Sequence, residues 1–269
     1  MKIARVFARK TRACPVDDLA FFAAPDMFAP EVDEVHVSVT FTYDKERGER
    51  FAEAWSRIAP VKIGGPAYDD PGGDFAPGMY LKHGYVITSR GCPNRCWFCD
   101  VPRREGIIRE LPITEGWNVL DSNLLACSEA HIRLVFAMLK EQKQRVEFTG
   151  GLEAARLQPW HVEELAELHP RQVFFAYDTP SDYEPLVDAS KLLADGGLLE
   201  RHRCRCFVLI GYPHDDRIKA ELRLRQVIEL GMDPMAMLYR NEHGTTDSEW
   251  RKFQRVWARP ALIYASERR

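Results

Sequence analysis

The chain reads as an α/β protein built on parallel strands, and three features of the sequence predict this. From Met79 onward, short runs rich in β-branched and aromatic residues alternate with stretches of helical period, the pattern of strands joined by crossover helices. Glycines punctuate these units at Gly150-Gly151, Gly196-Gly197 and Gly231. Nearer the N-terminus, Val35, Val37, Val39 and Phe41 alternate with His36, Ser38 and Thr40, the period of two that marks a strand.

Residues 1–65 form a first small α/β segment. Lys2 to Phe7 is its first strand and the valine run its second. Asp44 is placed to cap a helix whose Phe51, Trp55 and Ile58 share one face. Pro60 stops that helix, and Val61-Lys62-Ile63 makes a third strand ending at Gly64-Gly65-Pro66. Residues 66–78, rich in Pro, Gly and Asp, read as a linker. The expected division is therefore 1–78, 79–245 and a tail at 246–269.

In the larger part, the first strand is Gly84 to Thr88 and the second Trp117 to Leu120. The helix after the second carries Ile132, Val135, Phe136 and Leu139 on one face. Val146 to Thr149 is the third strand, followed by a helix from Pro159 to Leu168. Gln172 to Tyr177 is the fourth; its helix holds Leu186, Leu192 and Leu193, with Gly196-Gly197 as C-terminal cap. Cys204 to Ile210 is the fifth, with a helix from Asp216 to Leu230, and Met235 to Tyr239 the sixth. In the tail, Thr246 and Glu249 make a capping box. Trp250, Phe253 and Trp257 then form a stripe expected to pack over an open end or edge of the barrel, with a base-stacking surface as the alternative.

At 269 residues the chain is long enough to bury a sizeable core. Hydrophobic residues at 45% and charged residues at 29% are ordinary for a soluble globular protein. A net charge of −3 gives no global pull toward nucleic acid. The local runs Arg103-Arg104 and Arg201-His202-Arg203-Cys204-Arg205 leave a nucleic-acid partner open without supporting it. No stretch approaches a membrane span, and the N-terminus has no signal-peptide core. Seven cysteines, an odd number with three in one loop, point to a reducing, cytoplasmic setting rather than a disulfide framework.

That loop is Gly91-Cys92-Pro93-Asn94-Arg95-Cys96-Trp97-Phe98-Cys99, a Cys-x3-Cys-x2-Cys array directly after a strand. Three thiolates this close can hold three corners of an iron–sulfur cube and leave the fourth iron open. A structural zinc site would need a fourth donor, and no His or Cys follows Cys99 before Cys127. An electron-transfer ferredoxin would normally bring four cysteines in a much smaller protein.

With an aromatic just before its third cysteine, the array resembles the radical S-adenosylmethionine superfamily. The approach Thr88-Ser89-Arg90-Gly91-Cys92-Pro93 is similar to the branch holding methylthiotransferases and cobalamin-dependent radical enzymes. The resemblance implies a [4Fe-4S] cluster on Cys92, Cys96 and Cys99, with S-adenosyl-L-methionine chelating the open iron. An electron from a reductant such as flavodoxin or ferredoxin then cleaves the sulfonium, and a 5′-deoxyadenosyl radical abstracts hydrogen from a substrate the sequence does not name. It also implies that the strands from Met79 onward form a partial (βα)6 TIM-like barrel. Residues 1–78 then resemble a shortened Rossmann-like cap of the kind that precedes it.

Two departures narrow the branch. His36, in Asp33-Glu34-Val35-His36, lacks the Asp-x-His-x-x-Gly spacing of a cobalt-ligating histidine and reads instead as solvated or hydrogen-bonded. Cys14 stands alone where a methylthiotransferase holds three cysteines. A cobalamin- or methylthio-transferring variant stays as one alternative, and a non-catalytic metal-binding adaptor as another.

In parallel barrels functional groups gather where strands end. Asp121-Ser122-Asn123, after the second strand, resembles a polar turn that holds the methionine ammonium; an Asx turn is the other reading. Thr149-Gly150-Gly151-Leu152-Glu153 is similar to the superfamily's Gly-Gly-Glu motif. It departs by the inserted Leu152 and by following the third strand rather than the second. Glu153 is a candidate for the ribose or amino group, and Arg156 for a two-pronged grip on the methionine carboxylate. Asp178 is a candidate ribose or substrate contact, or simply an N-cap. Gly211 and Tyr212, in Ile210-Gly211-Tyr212-Pro213, are expected near the adenine, with Phe98 beside cluster and adenine. Tyr239 and Arg240 are expected on the substrate side. Cys14, Cys127, Cys204 and Cys206 read as buried small apolar groups.

Overall fold

A computed structural model describes residues 1–70, 72–241, 244, 246–260 and 262–263. The chain is of the mixed α/β class with parallel sheets, and it divides into two compact units, residues 1–116 and 117–269.

The first unit carries β1 (Ile3–Phe7), β2 (Ala20–Phe21), β3 (Glu34–Ser38), helix α1 (Lys45–Trp55) and β4 (Val61–Gly64). These strands form an all-parallel sheet in the order β2-β1-β3-β4. β2, two residues long, has no counterpart in the sequence reading. The expected linker at 66–78 lies inside this unit, beginning with a 3-10 turn at Pro66–Tyr68. The core is built from one face of the sheet, with Ala4, Val6, Val35 and Val37 buried together with Trp55 of α1. Trp55 also donates its indole N–H to the Ala23 carbonyl at 3.0 Å.

Two expectations for α1 are corrected. Asp44 occupies its N-cap position without making a side-chain cap. Its buried carboxylate instead takes both prongs of Arg9, at 2.7 and 2.8 Å. Ile58 falls outside the helix, which ends at Trp55, and is exposed.

Further along the first unit come β5 (Tyr85–Val86), β6 (Ser89–Arg90), the short helix α2 (Val101–Glu105) and β7 (Arg109–Glu110). β6 and β7 pair antiparallel, Ser89 with Glu110 and Arg90 with Arg109. Residues 91–108, including the cysteine loop, are thus the connection of a hairpin.

The second unit repeats strand and helix: β8 (Asn118–Val119), α3 (Glu129–Lys140), β9 (Glu147–Phe148), α4 (Pro159–Leu168), β10 (Gln172–Ala176), α5 (Tyr183–Asp195), β11 (Cys204–Ile210), α6 (Arg217–Glu229), β12 (Asp233–Leu238) and α7 (Ser248–Trp257). The five strands are parallel neighbours in the order β12-β11-β10-β9-β8, and the sheet is not closed. Strand β11 alternates cleanly, with Cys204, Cys206, Val208 and Ile210 buried on one face. The helices close over the sheet through Phe136, Leu165, Leu186 and Leu224. Asp216 and Ser128 cap α6 and α3 by accepting from Lys219 N and His131 N.

For α7 the cap is Asp247, which accepts from Glu249 N at 2.8 Å, rather than the expected Thr246–Glu249 box. The aromatic stripe behaves as expected of a packing face. Helix α7 lies against the edge strand β12 and against α6, and Gln254 donates to the Ala236 carbonyl. Residues 264–269 of the expected tail lie outside the described residues.

Gly48 offers a test of the first core. It sits inside α1, where alanine would gain about 1 kcal/mol of helix propensity. An added Cβ would, however, lie 2.4 Å from Cγ2 of Val39, a stiff and fully buried side chain. Overpacking costs about 1–3 kcal/mol, so Gly48→Ala is expected to lower unfolding stability by roughly 1 kcal/mol despite the better helix former. Urea denaturation measures it, and a stabilised variant would contradict this packing.

Candidate functional site

The cysteine loop is held at its root by a glycine that nothing else can replace. Gly91 has φ of +86°, and a Cβ there would meet the Ile107 carbonyl oxygen at 2.2 Å and that of Gly106 at 2.8 Å. Its N–H donates to Oε2 of Glu105 at 3.0 Å, and Cys92 N donates to the Gly106 carbonyl at 3.1 Å. Arg104 holds the other oxygen of Glu105 at 2.9 Å. The returning limb of the hairpin therefore grips the limb that carries the thiols. Within the loop, Cys99 N closes a turn onto the Cys96 carbonyl at 3.0 Å.

None of the three cysteines is in a disulfide; Cys96 is exposed and Cys92 and Cys99 are part-buried. Burial pushes the Cys99 thiol up; the Val101 backbone opposes this, and the nearby Cys92 adds to it. Cys92 and Cys99 thus lie within electrostatic reach of one another. Phe98 is part-buried edge-on to the exposed Trp97, with ring centroids 5.4 Å apart.

Among the described residues, no three His, Cys, Asp or Glu side chains cluster so as to hold a metal ion. A cubane makes a different demand, since each thiolate binds its own iron and the three need not converge on one centre. The donor set suits it: three soft sulfurs on one short loop.

In the second unit the predicted strand-end residues all follow the carboxyl ends of parallel strands and so line one edge of its sheet. Three of them meet. Glu153 Oε2 accepts from Nδ2 of Asn123 at 2.6 Å and from Nε of Arg156 at 2.6 Å. Asn123 is buried, and Glu153 and Arg156 are only partly covered.

Gly150 and Gly151 act on the backbone. A Cβ on Gly150 would strike the Asp121 carbonyl oxygen at 2.4 Å, so glycine lets the end of β9 press against the end of β8. Gly151 adopts φ of +100°. Asp121 itself is buried.

Asp178 is not an N-cap. Its Oδ1 accepts from Leu209 N at 2.9 Å and so ties β10 to β11, while the capping role falls to Asp182, which accepts from the N–H groups of Asp178 and Thr179. Burial pushes the Asp178 carboxyl up to about 7, against the favourable Leu209 bond.

Gly211 has φ of +70°, and its missing side chain makes room for the Trp250 ring of α7, which a Cβ would meet at 3.0 Å. Tyr212 lies under the Arg223 guanidinium at 5.3 Å. Tyr239 is part-buried and Arg240 exposed, both just beyond β12.

Sequence reasoning missed two anchoring groups. One is Glu105, described above. The other is Asp215, whose buried Oδ2 accepts from Gly211 N and from Nη2 of Arg223, each at 2.9 Å. The signal for Asp215 was its position four residues after Gly211 in a turn; nothing local marked Glu105. In the first unit, both ring nitrogens of His36 are engaged, Nδ1 with the Tyr80 hydroxyl at 2.6 Å and Nε2 with Glu34 at 3.1 Å. This is the hydrogen-bonded state expected of it. Cys14, Cys204 and Cys206 are buried and Cys127 part-buried.

No protein-family model matches the chain, and no curated protein matches it.

Asp178 gives the site a pH signature. With a folded pKa of about 7 against an ordinary 3.8, the native state keeps a proton that the unfolded chain has released, so stability falls as pH rises between about 4 and 7. The full shift is worth up to roughly 4 kcal/mol at about 1.36 kcal/mol per unit. Asp178→Asn is expected to flatten that slope and to be the more stable protein at pH 8. Denaturation curves at several pH values test this, and an unchanged slope would contradict it.

Proposed function

We propose that this chain is a radical S-adenosylmethionine enzyme. The observation that carries the reading is the cysteine loop, where three cysteines, none in a disulfide, share one hairpin connection whose root is fixed by Gly91 and Glu105. The parallel strand–helix units of the second unit fit the partial (βα)6 barrel of this reading, and residues 1–78 its Rossmann-like cap.

Cys92, Cys96 and Cys99 hold the [4Fe-4S] cluster, with Phe98 covering it. When bound, the cluster supplies the electron that cleaves S-adenosyl-L-methionine to a 5′-deoxyadenosyl radical, which takes hydrogen from the substrate. The chain's own task is to bind and orient the methionine. Glu153 and Arg156, already joined to one another, form an anion–cation pair, the electrostatic complement of an α-amino acid zwitterion. Glu153 with Asn123 takes the ammonium, and Arg156 takes the carboxylate. The edge formed by Asp121, Gly150, Gly151, Asp178, Gly211 and Tyr212 shapes the nucleoside side. Tyr239 and Arg240 face the substrate. A flavodoxin or ferredoxin serves as electron donor in a cytoplasmic setting. No helix among the described residues is long and apolar enough to cross a membrane.

Anaerobic reconstitution tests the reading. The protein is expected to bind about four irons and four sulfides per chain and to release 5′-deoxyadenosine when reduced with S-adenosylmethionine. Ser at any of the three cysteines is expected to abolish both. Glu153→Gln is expected to keep the iron while weakening S-adenosylmethionine binding by roughly tenfold or more. One zinc per chain and no deoxyadenosine would mean a metal-binding adaptor instead.

A further inference from the structure

The first unit contains a cavity of about 690 Å³ that the radical chemistry leaves unused. Its position follows from the sheet. Helix α1 and the buried valines cover one face of β2-β1-β3-β4. The other face presents Arg5, His36 and Lys62, which are register partners across β1, β3 and β4, followed by Ser38 and Gly64. That face is crossed by the segment around Gly78 to Tyr80. Arg5 donates to the Gly78 carbonyl at 2.8 Å, and Tyr80 is bonded to His36 at 2.6 Å.

The cavity lies between this segment and the carboxyl ends of β1, β3 and β4, with Phe7, Ser38 and Gly64 among its lining. β2 lies on one side of β1 and β3 on the other, so the switch in strand order falls at this edge, where open parallel sheets form their ligand crevice.

One lining group asks for a ligand. The Arg90 guanidinium borders the cavity directly over Gly72, where an added Cβ would lie 2.8 Å from Cζ. Its Nε is buried without a hydrogen-bond partner, and among the described residues the guanidinium makes no ion pair. The carboxylates within its electrostatic reach are Glu105 and Asp70. Both oxygens of Glu105 are engaged, by Gly91 N and by Arg104, and Oδ1 of Asp70 is taken by Gly72 N at 2.9 Å. Arg104 and Arg109 add positive charge nearby, with Arg109 bonded to the Gly72 carbonyl.

The other cation in the lining, Lys62, is already neutralised by Glu34 at 2.6 Å. The remaining walls are largely apolar, including Phe7, Phe75, Leu81 and Ile87. Asp70 and Asp74 also border the space; they disfavour a second anionic group and accept from hydroxyls.

We propose that this cavity binds a small molecule carrying one oxyanion, a phosphate or a carboxylate, on an aromatic or apolar body of about nucleotide size. The guanidinium fork matches either oxyanion with two parallel hydrogen bonds. The volume falls within the usual range for small-molecule sites. The inference is independent of the cluster and of S-adenosylmethionine.

Calorimetric titration of the 269-residue chain tests it with adenosine 5′-monophosphate, phenylacetate, adenosine, inorganic phosphate and hydroxocobalamin. Adenosine 5′-monophosphate or phenylacetate is expected to bind at least about tenfold more tightly than adenosine or inorganic phosphate, and which of the two wins identifies the oxyanion. Arg90→Gln is expected to weaken that binding roughly tenfold to a hundredfold. Because Arg90 precedes the cysteine loop, a second variant guards against misfolding. Gly73→Leu lies in the lining where an added Cβ meets nothing within 4 Å. It is expected to block binding while leaving the melting temperature unchanged. No binding by either anionic probe, binding indifferent to Arg90→Gln and Gly73→Leu, or preferential binding of hydroxocobalamin would each overturn the proposal. None of these readings requires iron, so they stand or fall apart from the radical assignment.

Discussion

Parallel neighbours cannot be joined by a tight turn, and that single constraint organises both units. Each strand must be followed by a crossover, usually a helix, before the chain can re-enter the sheet in the same direction. All strands therefore release their carboxyl ends at the same edge, and the segments leaving that edge are free to vary in length and chemistry without disturbing the packed layers. In the second unit the polar turns at Asp121, Glu153, Asp178, Asp215 and Arg240 all occur where a strand has just ended. In the first unit Phe7, Ser38 and Gly64 do the same around its cavity. The folding rule that solves the connection problem also collects the chemistry.

The cysteine loop is the exception that shows the rule's force. It is not a crossover but the connection of an antiparallel hairpin, and so it needs its own anchor. Glycine at 91 permits a backbone approach that any Cβ would block, and Glu105 then fastens the two limbs through one carboxylate shared by Gly91 and Arg104. A loop fixed at its root can hold three thiols in register, with Cys96 exposed and Cys92 and Cys99 part-buried. Arg90 sits immediately before that root, with its backbone in the two-residue ladder and its guanidinium on the cavity. One residue thus belongs to both the ladder under the cysteines and the wall of a separate binding space.

The sequence disclosed the layout wherever periodicity was strong. The helix over Pro159–Leu168 and the strand over Cys204–Ile210 fall where hydrophobic spacing and glycine or proline punctuation put them. Where signals were short, it did not. β2 is two residues long and carries no period, and the ladder of Ser89–Arg90 with Arg109–Glu110 joins segments separated by a long polar loop. Caps were misplaced where a long-range partner claimed the capping side chain. Asp44 had the right residue type and position for α1, but Arg9 offered its carboxylate two charged hydrogen bonds in a buried setting, which a single backbone N–H does not match. The Asn123–Glu153–Arg156 cluster was legible as three separate candidates, but only folding shows that one glutamate oxygen joins them.

The carboxylates along the second unit's edge also differ in what they are free to do. Asp215 is enclosed and spends one oxygen on Gly211 N and Arg223 together, an arrangement that fixes the turn after β11. Asp178 is largely covered too, but makes no ion pair among the described residues; burial holds it close to protonation, and its oxygen braces β11 through Leu209 N. Glu153 is partly open, and its bonds to Asn123 and Arg156 are to side chains rather than to the backbone of a neighbouring strand. Side-chain partners can swing away or be shared with an incoming group at little structural cost, whereas a backbone brace cannot be surrendered without unpicking the sheet edge. A ligand arriving at this edge with an ammonium or hydroxyl to donate therefore finds one carboxylate built to receive it. Under the proposed function, Glu153 rather than Asp178 is therefore the group that would meet the cofactor's ammonium, although on sequence alone the two looked alike.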